Sequence, residues 1–385
     1  MLYLDAAATT QMDVEVAVAM QPFMADEFAN PAAAYSLAEE EHKAVEIARE
    51  QLAYLIGAKP DEIYFTSGGT ESNNWVLHSA TLGKKKHIVT SAVEHPSVRR
   101  TCEFLEAYKG CRITFVPVDE TGMVDVDNVT DAIESDTAIV SIMHANNEVG
   151  TIQPVEWLSD VCRDKGVLLH TDAVQTVGKV AIDVDRMGVD ALSLSGHKFY
   201  GPKGVGALFI RGGLNLLPFI HGGGQESGLR GGTSNVPWIV GLGKAAEVAE
   251  RFVASGKSEK LTKSIDRFWS LINNSDPTTK RNGHFERRVP NILSVTFPDV
   301  ECNRLIFRLD HDYQIYCSCG SACHAQSVEP SQVLLAMGLG KAAAHSTVRF
   351  SIDRCVETGQ LESAAYTITG LVARLRSYGE GKWKL

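Results

Sequence analysis

The segment ALSLSGHKFYGPKGVGALFI sets Lys198 just after an apolar run, among Ser195, His197 and several glycines. Its plain reading is a surface lysine in a turn. Its chemical reading is an amine that forms a Schiff base with a carbonyl cofactor, which also requires phosphate-binding donors nearby and an acid facing a ring nitrogen. Ser195 and His197 are candidate donors, and Asp172, at the end of VLLHTDA, is a candidate acid. FTSGGTES adds an apolar run that passes through two glycines into a helix start. Free backbone N–H groups and the helix dipole favour a phosphate there. Turns of this kind are common, so neither this one nor the three features together name a cofactor.

A second set of residues handles a different chemistry. Cys323 lies in CSCGSACHAQSVEP, a Gly/Ser-rich stretch after the apolar YQIY. A free cysteine is usually buried and inert, whereas a nucleophilic thiolate needs small, polar surroundings such as these. Cys317, Cys319, Cys323 and His324 also spell C-x-C-x3-C-H, but zinc spacing pairs C-x2-4-C with a second, remote pair. Cys317 and Cys319 could alternatively resolve Cys323 as a disulfide; the expectation is that they are bystanders. Arg349, in VRFS, reads plainly as a strand-edge arginine and chemically as a planar partner for a substrate carboxylate.

These residues need a scaffold that brings distant strand ends together. Residues 38–57 place Val45, Ile47, Ala48, Leu52, Leu55 and Ile56 at helical spacing, with Gly57 as the stop. From there EIYFT, HIVT, RITFVPV, TAIVSIMHA, VLLHTDA, ALSLS and VGALFI alternate with helical patterns. Such alternation predicts an α/β fold with a mainly parallel sheet. After about residue 254 a polar helical stretch, a TKRNGHFERR connector and the runs NILSVTF, YQIYCS and VRFSI predict a smaller α+β domain. The expected division is residues 16–254 against 1–15 with 255–385.

With 385 residues, 44% of them hydrophobic, the chain can bury a large core. Its net charge of −10 argues against a dedicated nucleic-acid surface, because phosphate neutralisation needs Lys and Arg. No stretch reaches the run of ~18 apolar residues expected of a membrane span, and MLYLDAAATT has no leader character, so the chain reads as cytoplasmic. Its eight scattered cysteines read as reduced thiols rather than a disulfide framework.

The stretches YLDAAATT, FTSGGTESNN, EHPSV, MHANNEVGTIQP, HTDAVQTVGK, SGHKFYGPKGVGAL, HGGGQESGLRGGT, GSACHAQSVEP and HSTVRFS occur in this order along nearly the whole chain. The set resembles the NifS/IscS-type cysteine desulfurases of the class-V aminotransferase family. The resemblance implies a fold-type I homodimer that uses pyridoxal 5'-phosphate (PLP), takes L-cysteine, and passes its sulfur through a persulfide on Cys323 to an acceptor protein. It implies that Lys198 holds PLP, that Asp172 faces the pyridine nitrogen, that Gln175 meets the ring hydroxyl and that His95 stacks on the ring. Gly69, Thr70, Ser195 and His197 would hold the phosphate, and Thr233 would reach the phosphate site of the neighbouring subunit. Arg349 and Asn147 would orient the substrate carboxylate, Asn147 also facing the ring.

Two departures stand out. AAAY at residues 32–35 replaces the small residues and histidine usual after Asn30-Pro31, and Cys317 and Cys319 stand where serines are common. Iron-sulfur cluster assembly, tRNA thiolation and DNA phosphorothioation are all open as destinations for the sulfur. Competing readings are a selenocysteine lyase or other PLP enzyme, a scaffold that has lost activity, and a structural zinc protein.

Overall fold

The computed structural model describes residues 1–320 and 329–379. The helix expected over residues 38–57 runs Glu39–Ile56 and buries Val45, Ala48, Leu52 and Ile56 on one face. Ile47, counted with that face, is 44% exposed. Gly57 ends the helix at φ 70°, a left-handed cap that costs glycine no Cβ clash.

The chain opens with a short strand, β1 (Leu2–Tyr3). Seven strands follow: β2 (Ile63–Thr66), β3 (His87–Ser91), β4 (Arg112–Val116), β5 (Thr137–Ser141), β6 (Leu168–Asp172), β7 (Ala191–Ser195) and β8 (Gly206–Ile210). They form one sheet in the order β2-β8-β7-β6-β5-β3-β4. Neighbours run parallel except where β8 pairs antiparallel with β2 and β7. β3, β5, β7 and β8 are buried along their length, which is why they read as apolar runs rather than as alternating ones. From β3 the sheet grows outward to β4 and then, from β5, in the opposite direction. In open α/β sheets a ligand binds beyond the carboxyl ends of strands at such a reversal.

The later part of the chain contributes β9 (Lys280–Asn282), β10 (Ile292–Thr296), β11 (Ile315–Tyr316) and β12 (Thr347–Ser351). β12, β10 and β9 make an antiparallel sheet, and β11 pairs parallel with β1. β9 lies in what the sequence presents as a connector. Its residues KRN have no strand propensity of their own, and the pairing with β10 makes them a strand. Among the described residues, the two largest buried cores follow the division between the two sheets, while smaller clusters such as Ala145 with Val289 and Ile292 join the two parts. One draws on residues from Val16 to Ala249. The other joins Leu4 to residues from Leu261 to Leu375, with Phe268 set edge-on against Phe350 at 5.4 Å. No helix among the described residues is long and apolar enough to cross a membrane.

The expectation of reduced thiols fails for one pair. Cys302, at the start of the helix Cys302–Tyr313, and Cys319, just past β11, are joined by a disulfide with their Cα atoms 5.8 Å apart. Cys319 is therefore not the bystander thiol the sequence suggested. Their separation of 17 positions carries no spacing signal, because the helix and the turn before β11 are what return the chain to its start. Cys317 is a free thiol whose pKa burial raises strongly, so it stays protonated.

The helix Val236–Ala254 packs directly on Glu39–Ile56. A Cβ on Gly243 would lie 2.5 Å from the Cα of Ala48. Gly243→Val is therefore expected to force the two helices apart and lower stability by ~1–3 kcal/mol. An unfolding midpoint equal to that of the parent protein would contradict this packing.

Candidate active site

Residues at the carboxyl ends of five strands converge on one cavity of about 490 Å³. Gly68 follows β2, His95 follows β3, Asn147 follows β5, Asp172 ends β6, and Ser195 and Lys198 close and follow β7. The turn at Gly68 lies almost on β8, since a Cβ on Gly206 would sit 2.7 Å from the Gly68 Cα. This close approach brings the start of the helix Gly69–Ala80, with Gly69 and Thr70, into the cavity wall beside Ser195.

The Lys198 amine donates to the carbonyls of Ala7 at 2.7 Å and Ala8 at 3.0 Å. His197 shares the wall, its Nδ1 3.1 Å from the Thr9 hydroxyl. Burial, and then the cations Lys198, Lys203 and Lys179, push the His197 pKa down to about 4. At neutral pH it is an uncharged imidazole, so it offers a phosphate a hydrogen bond and no charge. Lys198 and Lys203 are the cations on that side of the cavity.

Asp172, in the same cavity wall, belongs to a chain of hydrogen bonds. Its Oδ1 accepts from the Val174 N–H at 3.0 Å and its Oδ2 from Asn73 Nδ2 at 2.7 Å. Asn73 Nδ2 also donates to Ser97 Oγ at 2.8 Å, and that hydroxyl lies 2.8 Å from His95 Nδ1. Because His95 Nδ1 also accepts from the Ser97 N–H, the proton of its neutral ring sits on Nε2. The acid and the imidazole are thus oriented by one network.

Arg349, on β12, reaches the cavity from the smaller core and is 2% exposed. Its Nη2 pairs with Asp5 at 2.6 Å and its Nη1 donates to the Asn147 carbonyl at 2.8 Å. Burial raises the Asp5 pKa above the usual carboxylate range, although the guanidinium partly offsets this. Arg349 Nε is buried with no hydrogen-bond partner among the described residues. An orphaned guanidinium N–H costs free energy until an acceptor meets it, which fits the arrival of a carboxylate.

Lys198, Asp172, Gln175, His95, Gly69, Thr70, Ser195, His197, Asn147 and Arg349 thus come together, as the sequence proposed. Thr233 does not: it is exposed and lies outside this wall. Cys323 and His324 fall outside the described residues. The AAAY departure also lies elsewhere, Ala32 facing a separate cavity with His42, Arg49 and Tyr64. Asp5, Asn73, Ser97 and Lys203 are site residues that sequence reasoning missed. Asp5 and Asn73 lie inside the quoted motifs YLDAAATT and FTSGGTESNN, and Ser97 lies inside EHPSV, so the signal available was the motif rather than the residue. Among the described residues no group of three His, Cys, Asp or Glu is placed to hold a metal ion.

The donor set fits PLP. One lysine, a buried carboxylate in the same cavity wall, a helix start with hydroxyl and imidazole donors, and a cavity of small-molecule size meet its separate requirements. The comparisons agree with this chemistry. The Aminotransferase class-V family model matches residues 2–363. A protein named cysteine desulfurase IscS from Dictyoglomus turgidum is 43% identical, over all of this chain and 98% of its own length. A solved NifS-like protein superposes with a TM-score of 0.90 at 37% identity, covering 97% of this chain and 99% of its own. A structure described as SspA in complex with cysteine superposes at 0.81 with 40% identity, covering 91% and 99%. With its sheet, its lysine and its acid arranged in this way and its length matched end to end, the chain belongs to the class-V aminotransferase family, whose members of this kind depend on PLP.

Proposed function

We propose that this protein is a cysteine desulfurase that converts L-cysteine to L-alanine and takes the sulfur onto Cys323 as a persulfide. The single observation that carries the reading is a buried Arg349, whose Nε has no partner among the described residues, lining the same cavity as Lys198. That pairing suits an amino acid whose carboxylate is gripped at one end while its amino group is processed at the other. When bound, PLP supplies an electron sink that acidifies the Cα–H of the substrate.

Lys198 would hold the cofactor by its amine and, once displaced, move the proton at Cα; the Ala7 and Ala8 carbonyls keep that amine in place. Asp172 would keep the ring nitrogen protonated, Gln175 would donate to the ring hydroxyl, and His95 would lie on the ring face with Nε2 carrying the proton. The Gly69 N–H, Thr70, Ser195 and His197 would bind the phosphate. Asn147 would face both ring and substrate, and Arg349 would fix the carboxylate with parallel hydrogen bonds. The net transfer balances as cysteine plus the Cys323 thiol giving alanine plus the persulfide: the substrate's C–S bond breaks and an S–S bond forms.

The exposure of Thr233 supports a role at a neighbouring copy, so the working form is read as a homodimer. The division into residues 16–254 and 1–15 with 255–385 is supported by the two largest cores. The sulfur acceptor is read as a protein thiol, reached by disulfide exchange. The net charge of −10 supports an enzyme with no direct hold on nucleic acid.

Two substitutions test the assignment. Cys323→Ser should keep the cofactor's visible absorbance yet form no persulfide after L-cysteine; a sulfur adduct at the parent rate would remove Cys323 as nucleophile. Arg349→Ala should raise the KM for cysteine by ~10- to 100-fold, the worth of a charge-assisted hydrogen bond. A KM unchanged from the parent would sink the carboxylate role.

A further inference from the structure

Lys179 lies in the interior, 5% exposed, yet has no salt bridge among the described residues. Burial and the nearby cations Lys198 and Arg349 hold its pKa well below the usual lysine range. A buried amine with no carboxylate is costly to maintain; among the described residues its Nζ donates to Gln175 Oε1 at 2.8 Å. Its own carbonyl accepts from Ser258 Oγ at 2.7 Å, which ties this turn to the helix Lys257–Ser275.

The other end of the Gln175 amide is equally constrained. Nε2 donates to the Ala7 carbonyl at 2.9 Å, the same oxygen that accepts from Lys198 at 2.7 Å. A carbonyl can only accept, so Ala7 takes the amide nitrogen and leaves Oε1 for the Lys179 amine to donate to. An amide nitrogen carries two hydrogens. One is used on Ala7, and the second is left for a group in the cavity that Gln175 lines.

We propose that Lys179 is a positioning residue: it locks the Gln175 amide so that a donor, never an acceptor, faces the ring oxygen of the cofactor. This rests on the reading of Gln175 given above. Without Lys179 the amide oxygen loses its hydrogen-bond partner and only the Ala7 carbonyl holds the group, so its second N–H is no longer fixed on the ring oxygen. The ring oxygen then becomes more basic, and the proton it shares with the cofactor-bound nitrogen is harder to remove. Lys198, His197, Asp172 and Arg349 share the cavity and Asp5 pairs with Arg349, and none of them changes in the variants that test this.

The experiment follows the visible band of the holoenzyme against pH in the parent, Lys179→Met, Gln175→Ala and the double variant. Lys179→Met is expected to raise the titration midpoint by about half to one unit, the worth of a single hydrogen bond. Gln175→Ala should raise it at least as far, and the double variant no further than Gln175→Ala alone. A midpoint unmoved in Lys179→Met overturns the proposal, as does an equal further shift in the Gln175→Ala background, which would mean that Lys179 acts by another route. If Lys179→Met does not fold, Lys179→Gln, whose shorter arm falls away from Gln175, must shift the midpoint in the same direction. A parent protein with no visible band would instead refute the cofactor reading itself.

Discussion

The whole site hangs on the hold that one short stretch of backbone, Asp5–Thr10, has on both halves of the molecule. On one side the Ala6 N–H donates to the Ser351 carbonyl, the Ala7 N–H to Ser351 Oγ, and Asp5 pairs with Arg349. On the other, the carbonyls of Ala7 and Ala8 receive Lys198, the Ala7 carbonyl also receives Gln175, and the Thr10 N–H donates to the His197 carbonyl. The segment is a bridge of backbone polar groups, each of which must find a partner once buried. Ligand-facing side chains from the two cores are therefore set at a fixed distance from each other by main-chain hydrogen bonds.

That bridge explains the division of labour across the cavity. The parallel sheet brings strand ends to one line, and its carboxyl-end turns supply the lysine, the acid and the phosphate donors. The antiparallel sheet supplies only Arg349, but supplies it desolvated, paired through both Nη atoms and with Nε unpartnered among the described residues. Buried charge of this kind is expensive unless its partners are arranged in advance. Asp5 and the Asn147 carbonyl are those partners. A network from Asp172 through Asn73 and Ser97 to His95 does the same for the acid, with oriented dipoles in place of an opposite charge.

How much of this was legible in the sequence depends on range. Lys198, Asp172, Ser195 and His197 stand next to apolar runs that could only be strands, so their convergence followed from the parallel sheet. The helix Glu39–Ile56 and its stop at Gly57 followed from local periodicity and backbone freedom. The pairing of Asp5 with Arg349 spans 344 residues and that of Asn73 with Asp172 spans 99, and nothing local announces either. Lys179 closes the quoted motif HTDAVQTVGK, and nothing local marks it as buried. β9 was hidden because its three residues become a strand only through the neighbour they meet, and the disulfide between Cys302 and Cys319 because the fold alone brings the two together.

Lys198 is the amine that should carry the cofactor; Lys179 nearby donates to Gln175, and Lys203 lines the same cavity. Borohydride reduction of the holoenzyme, digestion and peptide mass spectrometry test this directly, because reduction makes the lysine–cofactor bond permanent. The prediction is a pyridoxyl-phosphate adduct on the Lys198 peptide alone. An adduct on Lys179 or Lys203, with Lys198 unmodified, would contradict the account.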